Sequence, residues 1–470
     1  MAVQHFGPLT KLSDILGTSP DALGLFISIL LGFPVALLHR KYFFGKNPQY
    51  QHYFFTACGF VIGFLNYDWN ILHSLAALLG TYLVLKLYGG TSKSVIICFI
   101  YNLGYLLVGY YTTATDDYDI KWTLPQCVLT LRLIGLAFDV FDGRQPENKK
   151  PMALHQCPSL LEVAAYTYFP GSFLVGPQFS MKRYLDYVNG KLVETEADSE
   201  GRKIAPNSLL PGIKRASLGF LYIFMYQVGR YYVSDQYLLS SEFDNLGFLK
   251  RCFLVGLWAR CNLYKYISCW LIAEGVCIAF GLTYNGKDNN GKDKWDGCAN
   301  VELITFENAT EFNHYILSFN VNTNHWAAEY IYKRCKFLGS KLYSQLATLI
   351  FLAIWHGFHS GYYACFFMEF IIMYFEKDLK PVLLKHSKLQ YLIKESFLFR
   401  ILVWSVLKVY TFVFMGYSMI SFILLSYSRY MKVYSSFYFM GHIIFLSYPI
   451  FAPFIKKALM PQRSEREHTD

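Results

Sequence analysis

Charge is scarce in this sequence: Asp, Glu, Lys and Arg together supply only 16% of 470 residues. That excludes two or three ordinary soluble domains, whose surfaces need more polar cover. The eleven cysteines contain no Cys-x-x-Cys, and most, including Cys58, Cys98, Cys127, Cys269, Cys277 and Cys365, sit inside apolar runs. They are expected to pack, forming neither a disulfide framework nor a metal site. No Gly-x-Ser-x-Gly elbow occurs, and no acidic residue stands at a recognisable triad spacing. No internal repeat is visible, which counts against transporter folds built from repeated halves. Met1–Asp21 lacks a basic start, so no cleavable signal peptide is expected.

What fills the sequence instead is apolar and aromatic: 54% hydrophobic residues, with 38 Tyr and 41 Phe. Interfacial belts do not need so many rings, so many must line helix contacts or an interior shaped for lipid. Apolar runs recur at Ala22–Leu38, Tyr53–Leu65, Ile71–Leu87, Ser94–Tyr111, Trp122–Phe141, Leu218–Val233, Phe248–Leu282, Leu346–Phe375, Phe397–Tyr427 and Tyr434–Ile455. With Phe248–Leu282 as a tilted helix or a broken pair, the pattern predicts an all-α membrane protein of about eleven spans. Arg40, Lys41 and Lys46 follow the first run, ten Lys or Arg occupy Asp142–Arg215, and Asp116, Asp117 and Asp119 lie between. The basic loops are therefore expected in the cytosol and the N-terminus in the lumen. The net charge of +10 is first a consequence of such loops, and it also favours an anionic lipid surface or a polyphosphate substrate.

The chain reads as one integral-membrane domain in five parts. N-terminal helices occupy residues 22–141, a cytosolic and re-entrant region 142–215, and a catalytic core 216–375. C-terminal helices occupy 397–455, and 456–470 is a polar tail. Within the second part, Tyr168–Met181 is apolar but interrupted by Pro170, Gly171, Gly176 and Pro177, which suits a re-entrant or cavity-lining segment. Arg260 and Lys265 could meet phosphate but are expected rather to pair internally with Glu274, and Asn285–Asn300 to form a solvated loop.

Ala353–Tyr363 places His356, His359 and Ser360 at membrane depth. A full charge there costs about 2.5–3.5 kcal/mol, so such residues usually face a cavity and act in it. Three apart, the two histidines are expected on one helix face, with Gly357 and Gly361 offering a close-approach spacing beside them. Upstream, Ser318–Trp326 holds Asn320, Asn322 and Asn324 among aromatics. An amide donor aimed at a carbonyl and a neutral histidine able to take a proton from an alcohol are the minimal equipment for acyl transfer. A metal site from His356, His359, His325 and His314 lacks supporting carboxylates and is a weak signal. Ser360 as a nucleophile is a further alternative. Asn308-Ala-Thr matches a glycosylation sequon and is read as a chance match.

Trp355-His356-Gly357-Phe358-His359-Ser360-Gly361-Tyr362-Tyr363, with Ser318–Trp326 and Tyr168–Met181 before it, resembles the membrane-bound O-acyltransferase superfamily and its lysophospholipid acyltransferase branch. The motifs cover about Tyr168–Phe375, and the hydropathy agrees over nearly the whole chain. The resemblance implies a helical bundle around a buried chamber, with acyl-CoA arriving from the cytosol and lysolipid through the bilayer. It implies transfer of an acyl chain to the sn-2 hydroxyl, with lysophosphatidylcholine foremost and lysophosphatidylethanolamine and lysophosphatidylserine also accepted.

Residue by residue, the family histidine falls on His356 and the family asparagine on Asn320. This chain has Phe319-Asn320 where many members have Trp-Asn, and the place six before Trp326 favours Asn320 over its neighbours. Asn322, Asn324, Trp326, Trp355, His359, Ser360 and Tyr362 are expected to contact substrate. No metal and no cofactor are implied beyond acyl-CoA as co-substrate, and no nucleic acid. A homodimer is compatible with the resemblance. Residence in the endoplasmic reticulum rests on relatives alone, because Lys456-Lys457 lie too far from the terminus to act as a dilysine signal. The alternatives are a sterol or protein acceptor, and a lipid transporter.

Overall fold

Polar side chains start many of the helices. Ser19, Asn47, Thr91, Ser340 and Ser396 each accept a first-turn main-chain N–H, opening Pro20–Leu30, Pro48–Tyr67, Ser92–Thr113, Lys341–His356 and Phe397–Leu424. Ser159 and Glu162 form a reciprocal capping box at the start of Leu160–Thr167. The computed structural model describes residues 7–115, 120–145, 150–192, 196–197, 203–204 and 206–459. Asp116, Asp117 and Asp119, and the tail beyond Leu459, lie outside the described residues.

The described residues form an all-α bundle with one two-stranded hairpin, Glu196–Ala197 against Lys203–Ile204. Six segments are long and apolar enough to cross a bilayer: Pro20–Tyr42, Pro48–Tyr88, Ser92–Thr113, Thr123–Gly143, Phe248–Phe280 and Phe397–Leu424. Tyr427–Ser436 and Met440–Leu459, bent by 80°, make a seventh if taken as one span. Length and apolarity therefore support fewer spans than the eleven expected. Leu209–Tyr232 and Ser360–Lys385 are long enough but more polar. Outward faces carry Leu83, Ile100, Val108, Leu398, Val409 and Phe454, all well exposed, as a lipid-facing surface requires.

Phe248–Phe280 is the axis of the bundle. It is one unbroken 33-residue helix, neither a broken pair nor interrupted by its charges, and Gly281 ends it in the left-handed region (φ 95°). Leu209–Tyr232 lies along it where Gly212 meets Gly275: a Cβ on either would come within 2.6 Å of the other's carbonyl oxygen. Phe397–Leu424 crosses it at Gly256 and Gly416 with similar closeness. The expected pairing of Arg260 and Lys265 with Glu274 is not made. Fourteen residues of helix put Arg260 about 21 Å from Glu274. Arg260 bonds Glu307 instead, while Glu274 accepts from Arg215 Nε at 2.6 Å.

Tyr168–Met181 follows its sequence expectation in being irregular, and most of it is buried. Arg132, 2% exposed on Thr123–Gly143, holds it together. Its guanidinium donates to the carbonyls of Tyr166 (3.2 Å), Ser172 (3.1 Å) and Pro177 (3.1 Å) and to Ser172 Oγ (2.7 Å), and it lies over the Phe179 ring. Non-helical backbone at membrane depth needs such internal partners, and one cation supplies them.

Candidate active site

The helix Lys341–His356 ends at the histidine itself. Gly357 follows with φ 122°, a conformation closed to side chains, and a new helix runs Ser360–Lys385. His356 and His359 therefore do not share a helix face as the spacing predicted. His356 is the last residue of one helix and His359 caps the next. Gly361 does allow close approach, since a Cβ there would meet Ser421 O at 2.0 Å. The break thus turns the chain sharply and seats the second helix against Phe397–Leu424.

His356 Nδ1 lies 2.7 Å from the carbonyl of Leu352. A carbonyl only accepts, so in the neutral ring the proton sits on Nδ1 and the Nε2 lone pair is free. Trp355, Tyr362, Phe366 and Phe422 surround the ring at centroid distances of 4.6, 5.4, 5.2 and 5.4 Å. The resulting group is an imidazole in an aromatic sleeve, with no partner for its Nε2 among the described residues.

Asn320 sits in the left-handed region (φ 52°, ψ 44°) at the start of Val321–Ala327, a conformation asparagine tolerates better than most residues. Its amide orientation follows from its neighbours. The main-chain N–H of Asn322 donates to Asn300 Oδ1 at 3.0 Å, which fixes the other Asn300 atom as the NH2. That NH2 donates to Asn320 Oδ1 at 3.2 Å, leaving Asn320 Nδ2 with no partner among the described residues. Asn300 is itself anchored, its N–H donating to Glu274 Oε1 at 2.8 Å, and Glu274 is held by Arg215. A chain of bonds from Arg215 through Glu274 and Asn300 thus aims one amide donor.

Sequence reasoning missed this support. It assigned Asn300 to a solvated loop, whereas Asn300 is 2% exposed and Val301 pairs with Phe319 as an isolated bridge. The rivals of Asn320 are spent in local folding. Asn322 Nδ2 donates to the carbonyls of Cys298 and Ala299, and Asn324 Nδ2 to those of Ile316 and Phe319.

The other expected contacts divide. Trp326 and Trp355 are core: Trp326 stacks on Phe351 at 5.6 Å, and Trp355 Nε1 donates to Cys127 O at 2.9 Å. Tyr362 is beside the imidazole. Ser360 is exposed and accepts from Tyr430 OH at 3.1 Å. His359 stays half-buried near Tyr362. His314 faces Glu311 and His325 is exposed, and among the described residues no three His, Cys, Asp or Glu side chains gather as a metal requires. Asn308 is exposed and donates to Ile304 O.

A stacked pair of rings links the segments that carry His356 and Asn320. The stacked Trp326 and Phe351 join their helices six residues from Asn320 and five from His356, about 9 and 7.5 Å along the respective axes. The Tyr266 ring also meets Phe319, next to Asn320, edge-on at 6.5 Å. His356, Tyr266, Cys269, Cys127 and Glu369 are all deep in the bundle, yet each keeps part of its surface open.

A histidine and an aimed amide inside a helical membrane bundle are the equipment acyl transfer uses, and the chain belongs to the membrane-bound O-acyltransferase family, whose profile matches residues 107–420. Among individual proteins, it is 45% identical over 462 residues to human lysophospholipid acyltransferase 5, covering 97% of this chain and 93% of that one. The protein of the same name from Drosophila melanogaster is 42% identical over 446 residues (93% and 88%). That from Caenorhabditis elegans is 37% identical over 450 residues (94% of each).

Proposed function

We propose that this protein transfers a fatty acyl chain from acyl-CoA to the sn-2 hydroxyl of a lysophospholipid in phospholipid remodelling. The observation that carries the mechanism is the pairing of a histidine whose Nε2 is free with an asparagine whose Nδ2 is free. Similarity to lysophospholipid acyltransferases over almost the full chain supports the acceptor class. The membrane in which it acts is that of the endoplasmic reticulum, and acyl-CoA is a co-substrate, with no further cofactor.

His356 Nε2 accepts the proton of the sn-2 hydroxyl as its oxygen attacks the thioester carbon. Asn320 Nδ2 donates to the carbonyl oxygen, on which negative charge develops. Collapse expels the coenzyme A thiolate, which takes the proton back from His356 and leaves as the thiol. The ester bond forms as the thioester breaks, and no acyl-enzyme is required when both substrates are held together with water excluded.

Release of free coenzyme A thiol, followed with one acyl-CoA and a panel of lysolipid, sterol and peptide acceptors, tests this reading. Release only with lysolipid is the expected result. Release with sterol or peptide instead contradicts the acceptor, and no release with any acceptor contradicts the transfer. Trapping an acyl group on Ser360 or a cysteine would replace direct transfer with a two-step route.

A further inference from the structure

Glu369 is an interior carboxyl that the mechanism above leaves unused. It lies midway along Ser360–Lys385, deep in the protein and half-buried. Among the described residues no hydrogen bond or ion pair reaches it, and no basic side chain stands close enough to offset its charge. Other carboxyls packed between helices are provided for. Glu274 has Arg215, Glu307 has Arg260, and Asp142 has Arg334 and Lys150. Glu376, two turns further along the same helix, accepts from the N–H of Phe312. An unpartnered ionisable group at membrane depth is costly and is retained where something binds it.

Its direction is set by the helix. Two residues from the exposed Phe367, Glu369 lies on roughly the opposite side of Ser360–Lys385, the side that carries Tyr362 and Phe366. Those two rings border His356, and Glu369 is three residues, about 4.5 Å of rise, beyond Phe366. A bare carboxylate flanked by aromatic faces is recognition chemistry for an organic cation, quaternary ammonium included. In a lysophospholipid with a choline or ethanolamine head, eight bonds join the sn-2 oxygen to the head nitrogen. At about 1.5 Å per bond in a zigzag, they reach up to about 10 Å, well beyond the about 4.5 Å of helical rise that separates Glu369 from Phe366, a ring bordering His356.

We propose that Glu369 receives the cationic head nitrogen of the acceptor while its sn-2 hydroxyl lies at His356. Glu369 thereby makes the enzyme favour zwitterionic over purely anionic head groups. The proposal rests on the lysophospholipid reading above and assigns its head-group selectivity to one residue.

The test uses the full chain in membranes with a single acyl-CoA and two acceptors of the same acyl chain, lysophosphatidylcholine and lysophosphatidylglycerol. Wild type and Glu369→Gln are compared by coenzyme A release. The ratio of kcat/KM for the choline acceptor over the glycerol acceptor is expected to fall about tenfold to a hundredfold in Glu369→Gln, through KM for the choline acceptor. A ratio within about threefold of wild type overturns the proposal, as does a loss carried by kcat on both acceptors alike. Should Glu369→Gln fail to accumulate, Glu369→Asp, which keeps the charge on a shorter arm, is scored by the same ratio and the same limit. Absence of coenzyme A release by wild type with either acceptor would instead refute the lysophospholipid reading, a result distinct from an unchanged ratio.

Discussion

At the scale of the residue, two side chains are asked to do chemistry and a third to aim one of them. Replacing His356 with Ala removes the proton acceptor, and kcat should fall about 100-fold to 10,000-fold while the protein still accumulates in membranes. Quantitative blotting beside the thiol-release assay separates lost chemistry from lost protein. Asn320→Ala removes the donor to the developing oxyanion and should cost about 100–1000-fold in kcat. Asn300→Leu is the more discriminating change. It leaves both catalytic side chains in place but removes the bond that holds Asn320 Oδ1, so the amide is free to turn. The expected result is roughly a tenfold lower kcat with KM for acyl-CoA little altered, whereas an effect confined to KM would place Asn300 in binding instead.

At the scale of the element, glycine and buried charge decide how the helices meet. Gly357 has φ 122°, so Gly357→Ala should cost about 1–3 kcal/mol, read as a lower thermal midpoint in detergent. Glu274→Ala leaves Arg215 without its carboxylate and Asn300 without an acceptor, and a loss of about 3 kcal/mol or more is expected by the same measurement. The motif itself was legible in the sequence because histidine and asparagine are conspicuous among apolar neighbours. Its local shape was not. A spacing of three suggests one helix, and only the backbone at Gly357 reveals that His356 ends one helix while His359 begins another. Asn300 was hidden for a related reason: it closes a Gly/Asp/Lys-rich loop, and composition cannot report that the loop's last residues fold back under Asn320. Arg132 was equally silent, since a single arginine inside an apolar run does not announce the main-chain and hydroxyl acceptors contributed by a segment thirty to forty-five residues away.

At the scale of the whole molecule, the long helix Phe248–Phe280 carries much of the arrangement. Leu209–Tyr232 packs along it through glycine contacts, and Phe397–Leu424 crosses it at Gly256 and Gly416. Membrane character was plain from composition, but the number of spans was not, because apolar runs fuse, bend or pass beside polar helices in ways a hydropathy pattern does not resolve. The account as a whole stands on the free nitrogens of His356 and Asn320 facing the same thioester. The most direct test is a structure of the full chain with a non-hydrolysable acyl-CoA analogue bound. The account requires the carbonyl-equivalent atom within hydrogen-bond reach, about 3 Å, of Asn320 Nδ2, with His356 Nε2 open toward the adjacent carbon. An analogue bound with that atom away from both side chains, or with His356 Nε2 turned into the protein, would contradict it.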